Sequence, residues 1–212
     1  MKNEFDFLNE PNFRNRPAMY IGDKSILKLK TFLDGFDTYR WINKISDNPA
    51  LPFWLMLPYV EQYYHHKGLA YNWDKIILLN CDNDEAKALS KFFELFDEFQ
   101  KARPLAASVA TIEATEIMFF HTQTNVYTIR FDENSNEVDY GPAERIYTIE
   151  YSNNLGCVLY HRFKNLEIDS RFYPSAQEAK EAVETNYGSS VNWVPGEASD
   201  ALSDLYAKAS AD

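Results

Sequence analysis

Cysteine is scarce in this chain, and so are long apolar runs. Its 212 residues include two cysteines, Cys81 and Cys157, which lie far apart and form no C-x-x-C pair. This usage excludes a disulfide framework and the common zinc-knuckle patterns, and it is typical of a reducing compartment. No run approaches the roughly 18 apolar residues of a membrane span, and the first residues lack the apolar segment of a signal peptide. The sequence therefore predicts a cytoplasmic protein with no membrane partner.

Basic residues are outnumbered by acidic ones. Lysine and arginine number 21 against 32 aspartates and glutamates, so the formal net charge is −11. Binding to a phosphate backbone depends on basic side chains, and the composition therefore argues against a nucleic-acid partner. Residues 1–100 contain 12 basic and 15 acidic residues, a net of −3, whereas residues 101–212 contain 9 and 17, a net of −8. This excess indicates either a surface that is acidic for solubility or one that attracts a basic protein.

Glycine is also scarce, with seven in the whole chain. The stretch Arg16–Gly22 nevertheless resembles the R-P-G-M-Y-I-G string that precedes the first ATP-site helix in DNA gyrase B subunits. In that family the following helix carries an E-x-x-D-N motif, and a D-x-G-x-G loop lies downstream. Here the corresponding helix reads ILKLKTFLDGFDTYRW, and the chain contains neither motif. The similarity to gyrase B is superficial, and we expect no ATP site and no other cofactor.

The same stretch is expected to have a structural role. We expect Pro17 to be extended, Met19, Tyr20 and Ile21 to pack as a buried plug, and Gly22 to turn the chain before a helix. The string would then fasten an N-terminal arm to the rest of the fold.

The first half of the chain shows apolar residues at the three-and-four spacing that is typical of helices. The predicted helices are 23–40, 53–67 and 82–101, and residues 73–80 form either a short buried helix or a strand. Asp23 or Ser25 can cap the first of them. Pro58 lacks an N–H and starts or kinks the second, and Asp82 with Glu85 resembles a capping box for the third.

After residue 103 the pattern changes to alternation of β-branched and aromatic residues, which predicts strands. The strand candidates are 116–123, 125–131, 145–151, 156–163 and, less regular, 166–173. The sequence SNNLG at 152–156 predicts a hairpin turn, and 132–144 predicts a longer polar hairpin loop. Ser175 followed by Glu178 predicts a capped helix over 175–187, and a short helix is expected near the C-terminus.

These patterns predict an α+β protein, with a helical N-terminal half followed by a mainly antiparallel β-sheet with a covering helix. The expected division is a helical region with an N-terminal arm at 1–103 and a sheet-plus-helix region at 104–212. An apolar content of 45%, with 16% aromatic residues, is ample for a packed core.

No metal or catalytic constellation is predicted. The loop at 132–144 begins D-x-N-x-N as a calcium loop does, but Glu137 stands where a glycine is needed and Ala143 where a bidentate glutamate belongs. The neighbouring histidines His65 and His66 point about 100° apart on a helix, unlike a zinc pair. Cys157 is expected to pack in the core. We therefore expect no enzyme activity and no metal.

Aromatic residues are abundant, and one group of them is denser than a helix pair usually needs. Its members are Trp41, Trp54, Tyr59, Tyr63, Tyr64, Tyr71 and Trp73. Large rings fill small cores well, and Tyr and Trp also anchor interfaces. The sequence leaves both roles open.

A second resemblance concerns function. The segments Arg16–Gly22, Ser25–Phe36 and Phe92–Phe99 resemble small bacterial R-P-x-M-Y-I-G proteins found beside polymorphic or contact-delivered toxins, some of which are immunity proteins. The resemblance implies a cytoplasmic protein that blocks a toxin in contact-dependent growth inhibition. A small-molecule enzyme of unrecognised type is the alternative, and the oligomeric state stays open.

A basic toxin domain would meet the more acidic half of the chain, around the long polar loop, because recognition residues are often carried on loops. The expected contact residues are Asp132, Glu133, Glu137, Asp139 and Glu144.

Overall fold

A computed structural model describes residues 3–43, 50–66, 70–111, 129–131, 137–139, 143–163, 168–187 and 191–207. Helices occupy the N-terminal half and a five-stranded antiparallel sheet with packed helices follows, so the predicted α+β class is confirmed. The chain divides into two compact units, Met1–Ala102 and Arg103–Asp212. Within the described residues, no helix combines the length and apolar character needed to cross a membrane.

The first unit consists of short helices packed against two longer ones. These elements are α1 (Glu4–Leu8), α2 (Pro11–Asn15), α3 (Pro17–Ile21), α4 (Ile26–Ile42), a 3₁₀ turn (Phe53–Leu55), α5 (Met56–Tyr63), α6 (Trp73–Leu79) and α7 (Glu85–Phe99). Pro58 lies in the first turn of α5, where its missing N–H has no helical partner to lose. Residues 73–80, which the pattern left between helix and strand, are helical.

Polar side chains fix where the two longest helices begin. Ser25 lies before α4, and its hydroxyl accepts the N–H of Lys28 at 3.2 Å. The predicted cap of α7 is two residues off, because Asp84 rather than Asp82 accepts the N–H groups of Ala86 and Lys87, each at 3.0 Å. Asp82 has a φ of 58° and belongs to the preceding turn.

The inner face of α7 supplies the aromatic core of the first unit. Phe92, Phe96 and Phe99 are fully buried. Phe92 lies 4.8 Å from the ring of Trp73 on α6, and Phe99 stacks with Phe5 at 6.0 Å. Removing such rings from water provides the largest stabilising contribution to a unit of this size.

The expected plug at 17–21 is wrong in its details. Pro17 is not extended but occupies the first position of α3, where proline is favoured. Met19 is 74% exposed and Tyr20 is 47% exposed. The Tyr20 ring contacts the buried Phe13 edge-on at 5.6 Å, so it covers the core rather than filling it. Gly22 does turn the chain, with a φ of 80°.

Ion pairs fasten the N-terminal arm instead. Arg14 of α2 donates to both carboxylate oxygens of Asp97 on α7, at 3.0 and 2.6 Å. Arg40 near the end of α4 pairs with Glu4 of α1, and both side chains are buried. The arm is therefore held at two points, one of them in the interior.

The second unit is a sheet with a helix on each face. Its elements are β1 (Pro104–Thr111), β2 (Ile129–Phe131), β3 (Glu137–Asp139), β4 (Ala143–Tyr151), β5 (Gly156–Phe163), β6 (Ile168–Tyr173), α8 (Ala176–Tyr187), β7 (Val194–Gly196) and α9 (Ala198–Leu205). The main sheet has the order β6-β5-β4-β1-β7, and β2 pairs with β3 in a separate two-stranded sheet. All of these pairings are antiparallel.

The central strands are buried on both sides. Ala179 and Val183 of α8 pack in one core cluster with Ile146 and Leu159 of the sheet. On the opposite face, Asp204 of α9 contacts β4 and β5 side chains. The predicted cap of α8 is confirmed, because the Ser175 hydroxyl accepts the Glu178 N–H at 3.2 Å.

The strand predictions have mixed outcomes. Residues 145–151 and 156–163 are strands, and the turn between them has Asn153 and Asn154 at φ values of 60° and 54°. Gly156 has a φ of 100°, and a Cβ there would come within 2.7 Å of the Tyr173 carbonyl oxygen. Strands β1 and β7 had no predicted counterpart.

Two of the predicted strands lie partly or wholly outside the residues that the structure describes. Residues 116–123 lie outside the described residues, and only the end of 125–131 is described, as β2. Within the predicted loop 132–144, residues 137–139 form β3.

Candidate functional site

The structure places the five predicted contact residues unevenly. Asp132 and Glu133 lie outside the described residues. Glu137 and Asp139 are on β3, opposite Phe131 and Ile129 of β2, and the exposed Glu144 is at the start of β4. Residues 137–139 therefore form a strand within the stretch predicted as a loop, and recognition of a partner there stays a prediction.

Exposed charge on the second unit is strongly one-sided. The exposed acidic side chains that the structure describes there are Glu144, Glu150, Glu178, Glu181, Glu184, Glu197 and Asp200. Among the described residues of this unit, the basic residue that is exposed as a whole is Arg103, and the Arg145 side chain is 43% exposed but paired with Asp204. The acids lie on β4, on α8 and around the start of α9, so the negative potential extends over both faces of the sheet.

Two side chains of the second unit that could act as a nucleophile or a base, those of Cys157 and His161, are buried. Cys157 has no exposed surface, and burial raises the pKa of its thiol to about 12. His161 is 6% exposed, and burial lowers the pKa of its imidazole to about 4. A protonated thiol and a neutral imidazole enclosed in the core have no access to a substrate. The prediction that Cys157 packs in the core is confirmed.

Asp204 forms a polar clamp between α9 and the sheet. Its carboxylate accepts the Tyr147 hydroxyl at 2.8 Å and Arg145 Nη1 at 2.5 Å, and its backbone carbonyl accepts Arg162 Nη1 at 2.6 Å. Burial works to raise the pKa of Asp204, but the bonds from Tyr147 and Arg145 outweigh it and leave the pKa lowered. The clamp ties a C-terminal helix to two strands that are distant in sequence.

We expect Asp204→Ala to lower the free energy of unfolding by about 1–2 kcal/mol, because Tyr147 and Arg145 lose a charged acceptor that is itself partly solvated. The carboxylate has a lowered pKa in the folded state, so its contribution is complete above the ordinary value of 3.8 and is lost as the pH falls below it. Urea unfolding at pH 7 measures the loss. Asp200→Asn on the same helix removes an exposed charge and should change stability by no more than about 0.5 kcal/mol. Equal losses in the two variants would contradict the clamp.

The first unit contains a concave site, which we call the α4–α6 groove. It has a volume of about 240 Å³ and lies between one face of α4, the 3₁₀ turn and the start of α5 and α6. Its lining residues are Lys30, Leu33, Asp34, Asp37, Phe53, Trp54, Leu57, Asn72 and Trp73. The α4 residues recur at spacings of three and four, which places them on one side of that helix.

Three of the residues that line the groove are buried and apolar. Leu33, Phe53 and Trp73 are all at least nine-tenths buried, and the Phe53 and Trp73 rings meet edge-on at 6.4 Å. Trp54 differs from them, because 39% of it is exposed at the rim. The groove therefore presents an aromatic ring to solvent above a floor that is already packed.

Acidic groups outnumber basic ones around this groove. Lys30 pairs with Asp34 and also lies near Asp74, whose pKa is raised by burial and lowered in part by Lys30. Asp37 pairs with Arg40 at 3.4 Å, and Arg40 also pairs with the buried Glu4. The start of α6 is met by the Asn72 side chain, which accepts the Trp73 N–H at 2.8 Å.

The aromatic group for which the sequence left core and interface roles open contains both buried and exposed residues. Trp73 is core, whereas Trp54, Tyr63 and Tyr71 are between 39% and 48% exposed. The sequence did not predict the groove, because its walls come from three segments separated in the chain. The one feature of the sequence that points to the groove is the spacing of Lys30, Asp34 and Asp37, which places these three charged residues on the same face of α4.

Comparison with protein-family models, with curated proteins and with solved structures finds no match for this chain. Among the residues that the structure describes, no group of three or more His, Cys, Asp or Glu side chains could hold a metal ion. The fold and its surface define an acidic α+β protein with one sheet-containing unit and one helical unit.

Proposed function

We propose that this chain is a non-enzymatic binding protein of the immunity type, which captures a basic protein, a bacterial toxin domain, in the cytoplasm. The observation that carries the proposal is the exposed charge of the second unit, where seven exposed acidic side chains accompany Arg103 among those described. A one-sided field of this kind raises the rate at which a basic protein is encountered.

The burial and pairing of the interior titratable groups also favour a binding function over a catalytic one. Cys157 and His161 are enclosed in the core, and Asp204 is engaged by two arginines and a tyrosine. In the other unit, Glu4 and Arg40 neutralise each other. An enzyme of unrecognised type would need titratable groups that converge on a substrate, and these groups instead hold helices in place.

The proposed contact lies on the hairpin and the strand that follows it, at Asp132, Glu133, Glu137, Asp139 and Glu144. Charges at the rim of an interface act mainly through long-range steering, so they change the association rate more than the dissociation rate. A contact at the hairpin therefore predicts an association rate that depends on these particular acids, whereas a surface that is acidic for solubility alone does not.

Substituting Glu137, Asp139 and Glu144 with their amides should slow association with the basic partner roughly tenfold at low salt and reduce the dependence of the rate on ionic strength. The dissociation rate should change by less than about threefold. Stopped-flow mixing with the partner over a range of salt concentrations measures both.

The matched control carries the same loss of three charges on other parts of the unit, through Glu181→Gln, Glu184→Gln and Glu197→Gln. All three residues are exposed and lie on α8 or just before α9. If the hairpin is the contact, the control should retain most of the association rate. Equal slowing by the two triple variants would assign the effect to net charge and contradict the hairpin.

A further inference from the structure

The two faces of the main sheet differ in composition. Under α8, the sheet contributes apolar side chains such as Ile146 and Leu159 to one core cluster. The alternate positions of the same two strands form the face on which α9 packs. The residues of β4 and β5 on that face are Arg145, Tyr147, Ile149, Tyr151, Val158, Tyr160 and Arg162. Tyrosine and arginine are enriched among the residues that carry binding energy at protein interfaces, so α9 covers part of a face with the composition of an interface.

Helix α9 has little stability of its own. It is eight residues long, and helices shorter than about 12 residues are marginal in water without packing. The described side chain of Glu197, at the N-cap, makes no capping hydrogen bond. The last turn contains Asp204 and no basic residue, so the helix macrodipole disfavours the charge there. The segment therefore depends on the sheet for its helical structure, and we expect it to undock and unfold together.

The contacts that hold α9 on the sheet are small or partly exposed to water. Its buried residues are Ala198, Ala201, Leu202 and Leu205, and two of these bury only a methyl group. The side chains of Asp204 and Arg145 in the polar clamp are 40% and 43% exposed, so water can replace each partner as the other moves away. On the opposite face, the core cluster is built mainly from β1, β4, β5 and α8. The loss of α9 would leave that cluster in place.

We propose that α9 is a lid, which undocks from the sheet as one unit while β4, β5 and α8 stay folded. Asp204 is the latch of this lid, because its contacts with Arg145, Tyr147 and Arg162 join α9 to both central strands. Opening releases two guanidinium groups and one tyrosine hydroxyl from Asp204 and lets water or another acceptor bind them. The uncovered face carries positive charge, unlike the acidic hairpin, and the inference does not rest on the proposed function.

Native-state hydrogen exchange of the full chain, followed by NMR at several low urea concentrations, tests whether α9 opens alone. The N–H groups from Ala201 to Tyr206 donate within the helix. Their protection should be at least about a hundredfold lower than that of amides in the centres of β4 and β5. Their exchange rates should also depend weakly on urea, because opening exposes one short helix, whereas the strand amides should show a steep dependence. Equal protection and equal urea dependence would mean that α9 leaves only when the whole unit unfolds, and would overturn the proposal.

The same data distinguish a lid from a helix that frays at its end. A lid predicts that the α9 amides share one opening reaction, with protection equal within about threefold along the helix. Fraying predicts protection that falls steadily from Ala201 to Tyr206. Such a gradient would also overturn the proposal.

Two aspartate variants test the latch. Asp204→Asn keeps the size of the side chain and removes its charge, and it should speed exchange of the α9 amides about tenfold. Asp200→Asn, one turn earlier on the same helix, should change that rate by less than about threefold. Equal effects of the two substitutions would contradict the latch. If Asp204→Asn loses its dispersed NMR spectrum, Tyr147→Phe removes one donor to the same carboxylate and should speed exchange by at least about threefold, and an unchanged rate would contradict the latch.

Discussion

Replacing Arg40 with methionine is expected to lower the free energy of unfolding by about 3 kcal/mol. Arg40 and Glu4 form an ion pair whose side chains are 7% and 0% exposed. Methionine keeps most of the alkyl stem of Arg40 but leaves Glu4 in the interior without its cation. Breaking a buried pair from one side typically costs about 3–5 kcal/mol, because a charge is left without a partner away from water. Denaturant unfolding of the full chain at pH 7 measures the loss.

The control for this prediction removes both charges. A double variant, Glu4→Leu with Arg40→Met, no longer contains a buried charge, and replacing a buried pair by apolar groups is often neutral or stabilising. We expect it to recover most of the stability lost by Arg40→Met. Asp37 also loses its 3.4 Å contact with Arg40 in that variant, but more than half of the Asp37 side chain stays in water, so this contact contributes little. A double variant as unstable as the single one would show that packing, and not charge, fastens α1 to α4.

The second large effect is expected in acid and depends on His161. Burial lowers the pKa of this imidazole from 6.5 in its ordinary state to about 4, against the opposing influence of Asp169. Below pH 6.5 the unfolded chain takes up a proton that the folded chain does not, so stability is lost as the pH falls toward 4. Between pH 7 and pH 4.5 we expect a loss of about 2–3 kcal/mol from this group.

The surroundings of His161 make the prediction specific. On its face of β5 it is opposite Ile146 of β4 and Asp169 of β6, and Arg171 of β6 further disfavours its protonated form. Its Nδ1 has no hydrogen-bond partner among the described residues. His161→Leu should therefore flatten stability over this pH window, as measured by denaturant unfolding at several pH values. A slope unchanged by His161→Leu would contradict the account and assign acid sensitivity to other groups.

Predictions from the sequence are most accurate for features that residues close together in the chain determine by themselves. The cap at Ser175 and Glu178 and the turn at Asn153 and Asn154 depend on residues within four positions of one another, and the structure contains both. The helix over 82–101 was predicted for the same reason, because apolar periodicity needs no knowledge of what the helix packs against. The α+β class follows from the change of period after residue 103.

The sequence-based predictions fail where the structure of a segment depends on a partner distant in sequence, or where its composition is unusual for the element it forms. Strand β1 is rich in alanine, a residue depleted in strands, and its pairing with β4 rather than its own sequence makes it a strand. Tyr20 was expected in the interior because it is apolar, but Phe7 and Phe13 already fill that position. The α4–α6 groove depends on three segments meeting, which no single stretch of sequence encodes.

The central claim is that this chain binds a basic protein and performs no chemistry on it. The most direct measurement is co-expression with the protein encoded beside it, followed by purification and determination of the complex mass by light scattering. We predict a stable complex of defined stoichiometry in which the partner is basic and is recovered intact, and which forms more slowly when Glu137, Asp139 and Glu144 are replaced by their amides. Recovery of the chain free of the partner, or of a partner that has been covalently altered or cleaved, would contradict the claim.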